Sequence, residues 1–277
     1  MSNLSNSTSE IDIQHPEFWT LQLNLCEKSL LFSLHDIDED NSLIVGNINL
    51  DLSGNNYLKA LENAVYDNPV LLNDYRKVRV MAESSHFALL PPQFGNEDDA
   101  LEVFKAQFPN HEGDFALCTL PRCNCHIAFS MPEGVMPFLQ RTFNMPPVFH
   151  HLYPLCEHYK GHDANRGVAC MHLNLRQDFI DIVIIKDHEL AMANTYSCSQ
   201  AQDIVFYTLH AWKAYALDAT KDELLLTGPK NLRDMVTGSL RQYIGYVMPA
   251  IFPASALKIG QDAVKAPLEL ILLALCE

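Results

Sequence analysis

Apolar and polar positions alternate near the start of the chain in a pattern that predicts three short strands, a helix and a fourth strand. The alternation places one face of each strand in a protein core, and the polar stretches between strands are short enough for hairpin turns. The helix follows Ser53-Gly-Asn-Asn56 and ends before Asn68-Pro69, because proline cannot continue it. The predicted strands are Leu21–Leu25, Leu30–Leu34, Ser42–Leu50 and Lys77–Ala82.

The same order of elements returns in the second half of the chain. Leu23-Asn-Leu25 aligns with Leu173-Asn-Leu175, and Ser199 can cap the second helix. The pattern predicts an α/β protein built from two similar lobes by internal duplication; two unrelated α/β segments are the alternative. The strands of the second copy are Ala169–Leu175, Phe179–Ile185, Glu189–Tyr196 and Leu224–Thr227.

Residues between the two copies predict helices and a strand hairpin inserted into the first lobe. We predict a flexible tail at residues 1–16, a first lobe at 17–165 and a second lobe at 166–277, with the polar loop Gly161–Gly167 at the boundary. The inserted elements are helices at Glu97–Phe108, Glu133–Phe143 and Val148–His158 and strands at Phe115–Leu120 and Cys125–Ser130.

Composition narrows the classes of partner. Of the 277 residues, 48% are hydrophobic, which is enough to bury a sizeable core. Lys and Arg total 19 against 34 Asp and Glu, a net charge of −15, which disfavours binding to nucleic acid or anionic lipid. A polar start, the lack of a long apolar run and eight scattered cysteines favour a cytoplasmic protein with free thiols and no membrane insertion.

A three-stranded meander followed by a helix and a strand, present twice, resembles the actin-like ATPase superfold. That resemblance implies ribonuclease-H-like lobes with mixed sheets and flanking helices. More specifically, the chain resembles a bacterial family of proteins of unknown function for which this fold has been described, and more distantly the actin-like proteins of pilus assembly and cell division. The resemblance spans most of the chain and implies a fold, but it implies no activity.

The superfold places an Asp and a Gly, two residues apart, in the first hairpin of each lobe, where they serve magnesium and phosphate. Carried over by position, the Asp becomes Asn24 in the first lobe and Asn174 in the second. The Gly becomes Cys26 and Arg176. An amide is a weak magnesium ligand and a Cβ obstructs close approach to phosphate, although Arg176 could neutralise an anion.

The superfold's adenosine-binding strand and paired glycines are matched in part by Leu224-Leu-Leu-Thr-Gly-Pro-Lys230, which has the strand, with Thr227 at its end, and one of the two glycines, Gly228. We therefore predict no catalytic residue, no cofactor and a non-catalytic interaction or assembly protein with an unknown protein partner. The alternative is a switch that binds a nucleotide or anion between the lobes, or a residual ATPase that uses ATP and magnesium there.

Histidine and cysteine are dense between His111 and His172, but their spacing matches no zinc motif, and we predict no metal site. His158 and His162 would share a face only on a continuous helix, and Gly161 is expected to end it. No nucleophile motif is present. The apolar segments Leu268–Cys276 and Phe138–Leu155 are expected in the core, with docking of another protein as the alternative.

Overall fold

The computed structural model describes residues 11–36, 38–163 and 167–276. The tail predicted at residues 1–16 lies mostly outside these ranges. Of its described part, residues 11–15 form no helix or strand, and Pro16–Phe18 form a short 3-10 helix. No helix within the described ranges has the length and apolar composition that crossing a membrane requires.

The first sheet has the strand order β3-β2-β1-β4-β8. Strands β1, β2 and β3 form the predicted antiparallel meander, and β4 and β8 continue the sheet in parallel. Helix α1, Tyr57–Tyr66, begins at Asn56, whose side chain accepts a hydrogen bond from the Lys59 amide at 2.8 Å. The strands are β1 Trp19–Leu25, β2 Ser29–Asp36, β3 Ile44–Asn49, β4 Lys77–Ala82 and β8 Val148–His150.

The second sheet repeats this path with the order β11-β10-β9-β12-β13. Strands β9, β10 and β11 are antiparallel, β12 and β13 run parallel, and helix α5, Ala201–Ala214, occupies the position of α1. The N-cap of helix α5 is Gln200, one residue after the predicted cap, Ser199. The Asp203 side chain accepts a hydrogen bond from the Gln200 amide. The strands are β9 Cys170–Leu175, β10 Phe179–Lys186, β11 Glu189–Ser197, β12 Glu223–Thr227 and β13 Tyr246–Pro249, with α6 Lys230–Leu240 before β13.

An inserted three-stranded sheet, of order β5-β7-β6, lies between β4 and β8 in the chain. One face of this sheet packs against helix α2, whose Ala100 and Phe104 contact Ala88, Leu90 and Ala128. The inserted elements are β5 Phe87–Leu90, α2 Glu97–Gln107, β6 Asp114–Leu120, β7 Cys125–Met131 and α3 Val135–Thr142.

The helix predicted at Val148–His158 is wrong in its first turn. Residues Val148–His150 form strand β8, because they pair in parallel with Val80–Ala82 at the end of β4. Helix α4 follows at Leu152–Asp163 and runs through Gly161 instead of ending there. A Cβ on Gly161 would lie 2.9 Å from Arg122 Nη1, so this glycine admits an arginine against the helix.

The contacts among the described residues divide the chain into two units. Of the described residues, the first unit holds those up to Leu120, Asn124–Tyr153 and those from Pro253 onward. The second holds Pro121–Cys123 and Pro154–Phe252. Helix α4 belongs to the second unit, where Tyr159 stacks on His172 of the second sheet.

The last two helices, α7 Ala254–Ile259 and α8 Leu268–Leu275, belong to the first unit. Helix α8 lies near β1, and most of its apolar side chains are buried, as predicted for Leu268–Cys276. Arg79 of β4 links the sheet to this helix, because its Nη1 donates a hydrogen bond to the Leu273 carbonyl at 2.7 Å.

The two faces of the second sheet differ in chemistry, which follows from the alternation along each strand. Met171, Leu173 and Leu175 of β9 enter an apolar core that also holds residues of α5 and α6. The other face carries Cys170, His172 and Asn174, all buried. The polar residues of the candidate site lie on this second face.

Candidate functional site

The predicted site residues lie at the turn ends of the two hairpins and at the end of β12. Asn24 and Cys26 lie together in the first unit. Asn174, Arg176, Thr227 and Gly228 lie together in the second. Within each unit the local geometry shows what these side chains contact.

In the first hairpin, Cys26 is engaged through both its backbone and its thiol. Its amide donates to the Ser29 carbonyl at 3.0 Å and closes the turn, and its carbonyl accepts from the Tyr57 hydroxyl at 3.0 Å. Its thiol donates to Glu83 Oε1 at 3.3 Å. Burial, with Cys26 and Glu83 close by, raises the pKa of the Tyr57 hydroxyl far above its ordinary value. This turn presents a thiol and a carboxylate.

Asn24 is fully buried on β1, and its amide is not satisfied by the protein. Within residues 11–36, 38–163 and 167–276, neither Asn24 Nδ2 nor Oδ1 has a hydrogen-bond partner. Its cross-strand neighbours, Leu31 of β2 and Met81 of β4, are apolar. A buried amide without partners costs stability, on the order of 1–3 kcal/mol.

In the second hairpin, Asn174 is part of a polar row that crosses four strands. Thr227 of β12 donates through Oγ1 to Asn174 Oδ1 at 3.1 Å, and Asn174 Nδ2 donates to Asp181 Oδ2 at 3.0 Å. Thr195 of β11 completes the row because its hydroxyl donates to Asp181 Oδ1 at 2.8 Å. The strand register places each of these residues directly opposite the next. The polar row therefore satisfies both ends of the Asn174 amide.

Arg176 brings a positive charge to the polar row. Its Nε lies 3.4 Å from Asp181 Oδ2, with the Asp181 side chain fully buried and the Arg176 side chain 14% exposed. Its guanidinium lies over the Phe179 ring, 4.5 Å from the centroid, and its amide donates to the Phe179 carbonyl at 3.1 Å. Ion pairing and cation–π contact hold the side chain over the hairpin.

Gly228 is required by the backbone of its own unit. Its φ of +102° lies in a region that favours glycine, and a Cβ would lie 2.2 Å from the Leu175 carbonyl oxygen. The end of β12 thus approaches the β9–β10 hairpin as closely as backbone atoms allow.

A second polar cluster in the second unit joins α4 to β9. Asp163 Oδ2 lies 2.5 Å from His172 Nε2, and both side chains are almost fully buried. Tyr159 stacks on the His172 ring with centroids 3.6 Å apart, and His162 Nδ1 lies 3.2 Å from Asp163 Oδ1. Burial, with His162 and His172 nearby, lowers the pKa of His158 to about 4.

Next to this cluster, the Glu157 carboxylate accepts hydrogen bonds from the turn that contains Arg122. The Arg122 amide donates to Glu157 Oε1 at 3.0 Å. Burial raises the pKa of Glu157, and hydrogen bonds from the Arg122 and Cys123 amides oppose that rise. Across the described part of the chain, no three His, Cys, Asp or Glu side chains are placed to hold a metal ion.

Sequence reasoning missed Asp181, Thr195 and Asp163. Asp181 interrupts Phe179-Ile-Asp-Ile-Val-Ile-Ile185, and one acid inside a fully buried apolar strand is a signal that a partner is present. Thr195 and Asp163 had no such signal, since their roles depend on strand register and on where α4 packs.

The comparisons with known proteins concern both the family and the fold. A family model described as "Protein of unknown function (DUF3822)" matches residues 8–247. No curated protein matches the chain.

Among solved structures, the chain is similar to a Bacteroides thetaiotaomicron protein with an actin-like ATPase fold and unknown function. The two are 22% identical with a TM-score of 0.81, over 97% of this chain and 100% of that one. It is also similar to a chain of the PilM–PilN type IV pilus biogenesis complex, at 13% identity and a TM-score of 0.56, over 93% of this chain and 99% of that one. These likenesses confirm the predicted actin-like ATPase fold.

Proposed function

We propose, from the premise that this chain belongs to the DUF3822 family and has an actin-like ATPase fold, that it is a cytoplasmic, non-catalytic interaction or assembly protein. The observation that carries the proposal is that Cys26 and Arg176 each bind a carboxylate of the chain itself. The superfold would have glycine at both positions, with bare amides facing phosphate.

The residues present do not fit a magnesium–nucleotide complex. Asn24 and Asn174 offer amides where magnesium would need a carboxylate, and the turn amides of Cys26 and Arg176 are bonded to Ser29 and Phe179. The Glu83 carboxylate beside Cys26 would also repel phosphate. Phosphoryl transfer depends on positioned metal and phosphate donors, so this mismatch supports a non-catalytic role.

An exposed apolar surface in the second unit supports the interaction role. We call it the β13 surface: Tyr243, Tyr246, Met248 and Ile251, of which Ile251 is 90% exposed. Large apolar side chains exposed along and beside an edge strand are typical of protein-binding surfaces. The similar structure from the PilM–PilN complex has the same fold and is part of a complex with a second protein. By analogy, this favours an interaction role for the present chain.

The backbone of β13 is poorly suited to pairing with an added strand, although β13 is the edge of its sheet. Pro249 has no amide hydrogen, and the Val247 carbonyl accepts from Arg241 Nη2 at 3.0 Å. Proline and charged groups at an edge oppose strand addition. We therefore expect the partner to contact side chains of the β13 surface.

Two measurements test the proposal. Thermal unfolding of the purified chain with ATP or ADP and Mg²⁺ should leave the Tm unchanged at millimolar nucleotide, because only a ligand that binds the native state raises it. A concentration-dependent rise, or release of phosphate from ATP, would contradict the non-catalytic role.

The second measurement is cross-linking in the native host with the wild-type chain and two variants. Y246S/M248S should lose the cross-linked partner. F206S removes another exposed apolar side chain of the second unit and should keep the partner. If the wild-type chain forms no specific cross-link to another protein, the interaction role is wrong.

A further inference from the structure

The two hairpins, which occupy equivalent positions in the two sheets, differ at two positions together. In the second hairpin, Asp181 stands opposite Asn174, and Arg176 follows in the turn. In the first hairpin, Leu31 stands opposite Asn24, and Cys26 follows in the turn. The hairpin with a buried acid therefore has an arginine, and the hairpin with a leucine at that place has a thiol.

A carboxylate as deeply buried as Asp181 is destabilising unless hydrogen bonds and a positive charge compensate it. The Asn174 amide and the Thr195 hydroxyl provide hydrogen bonds, and the Arg176 guanidinium provides charge at 3.4 Å. The stacking of Arg176 on Phe179 keeps that charge in place, whereas a hydrated ion would exchange with solvent.

We infer that the Arg176 guanidinium is a built-in cation of the second hairpin, and that it makes this hairpin independent of divalent metal. The resemblance places a magnesium-associated aspartate at Asn174, and here Asn174 donates to Asp181 while Arg176 pairs with the same carboxylate. The inference concerns this hairpin alone and does not depend on the proposed interaction role.

The class of ion that Arg176 excludes follows from the oxygens around it. Both Asp181 oxygens, Asn174 Oδ1 and Thr195 Oγ1 are hard oxygen donors arranged along one row. Such donors suit Mg²⁺ and Ca²⁺. Removing the guanidinium while keeping Asp181 should leave an acid that one of these ions can stabilise.

The experiment compares the Tm of the full chain, stripped with EDTA, as MgCl₂ or CaCl₂ is added without nucleotide. R176M removes the charge and keeps an aliphatic side chain over Phe179. R176K keeps a charge, and R176M/D181N removes the charge and the acid together. We expect R176M to melt lowest without metal and its Tm to rise by about 3 °C at ten times the metal Kd. The wild type, R176K and the double variant should not respond to metal.

Two results would overturn the inference. One is a metal-dependent rise in the wild-type Tm, which would mean that an ion already acts with Arg176. The other is an R176M variant that is as stable as the wild type and indifferent to metal. If R176M does not fold, recovery of folding in R176M/D181N supports the charge-compensation role, and a double variant that also stays unfolded contradicts it. Because nucleotide is absent, these outcomes are separate from those of the nucleotide titration.

Discussion

The partly buried imidazole of His158 predicts how the stability of the second unit depends on pH. Its pKa in the folded state is about 4, because burial and the nearby His162 and His172 disfavour its charged form. In the unfolded chain the same group titrates near the ordinary value of 6.5. Between these two values the unfolded state binds more protons than the folded state.

The sign of the effect follows from that difference. The contribution of neutral His158 to stability is fully present above pH 6.5. It is lost as the pH falls towards 4, because protonation then favours the unfolded chain. The full lowering of the His158 pKa corresponds to about 3 kcal/mol of unfolding free energy. Between pH 7.5 and pH 5.0 the loss attributable to His158 is about 2 kcal/mol.

The assay is urea unfolding at these two pH values, followed by the fluorescence of Trp212, which is buried in the core of the second unit. Replacing Trp19 with Phe in every protein leaves Trp212 as the reporter. H158Q should lose about 2 kcal/mol less than its parent on acidification. H210Q, which removes an exposed histidine of α5, is the control and should behave as the parent does.

An H158Q variant that loses as much stability as its parent between pH 7.5 and 5.0 would refute the reasoning. It would mean that the environment of His158 does not disfavour its protonated form in solution.

Two further predictions compare matched substitutions by urea unfolding. N24L should stabilise the first unit by about 1 kcal/mol, because it removes a buried amide without partners. N174L should destabilise the second unit by about 2 kcal/mol, because it breaks the polar row. A loss of stability in N24L would contradict the assignment. G228A should cost about 3 kcal/mol because its Cβ meets the Leu175 carbonyl at a positive φ, whereas G238A in α6 should add about 0.5–1 kcal/mol; equal effects would contradict it.

Alternation along the chain was sufficient to predict the strands of both meanders, and Lys77–Ala82 has the predicted bounds. A three-residue strand such as β8 is too short to show a period, so the sequence pattern predicts a helix at Val148–His150 instead. The sequence predicts a helix end at Gly161, whereas the reason for a glycine inside α4 is the side chain of Arg122, which comes from a distant part of the chain.

The places of Asn174 and Arg176 along the second hairpin could be predicted from the sequence, whereas their side-chain contacts could not. The motif positions located Asn174 and Arg176, since both follow from counting along a hairpin. The partner of Arg176 depends on which residue of β10 stands opposite Asn174, and that is set by the hairpin register. No pattern predicted α6 or β13, where polar and apolar residues are mixed without a clear period.

The return of residues from Pro253 onward to the first unit sets an order of completion during synthesis. The second unit has all its described strands before residue 253 is added to the chain. The first unit still lacks α8 at that stage. The polar face of β1 and β4, including Arg79, is therefore not yet covered by this helix. The half of the protein that is translated first is therefore the last to close its interior.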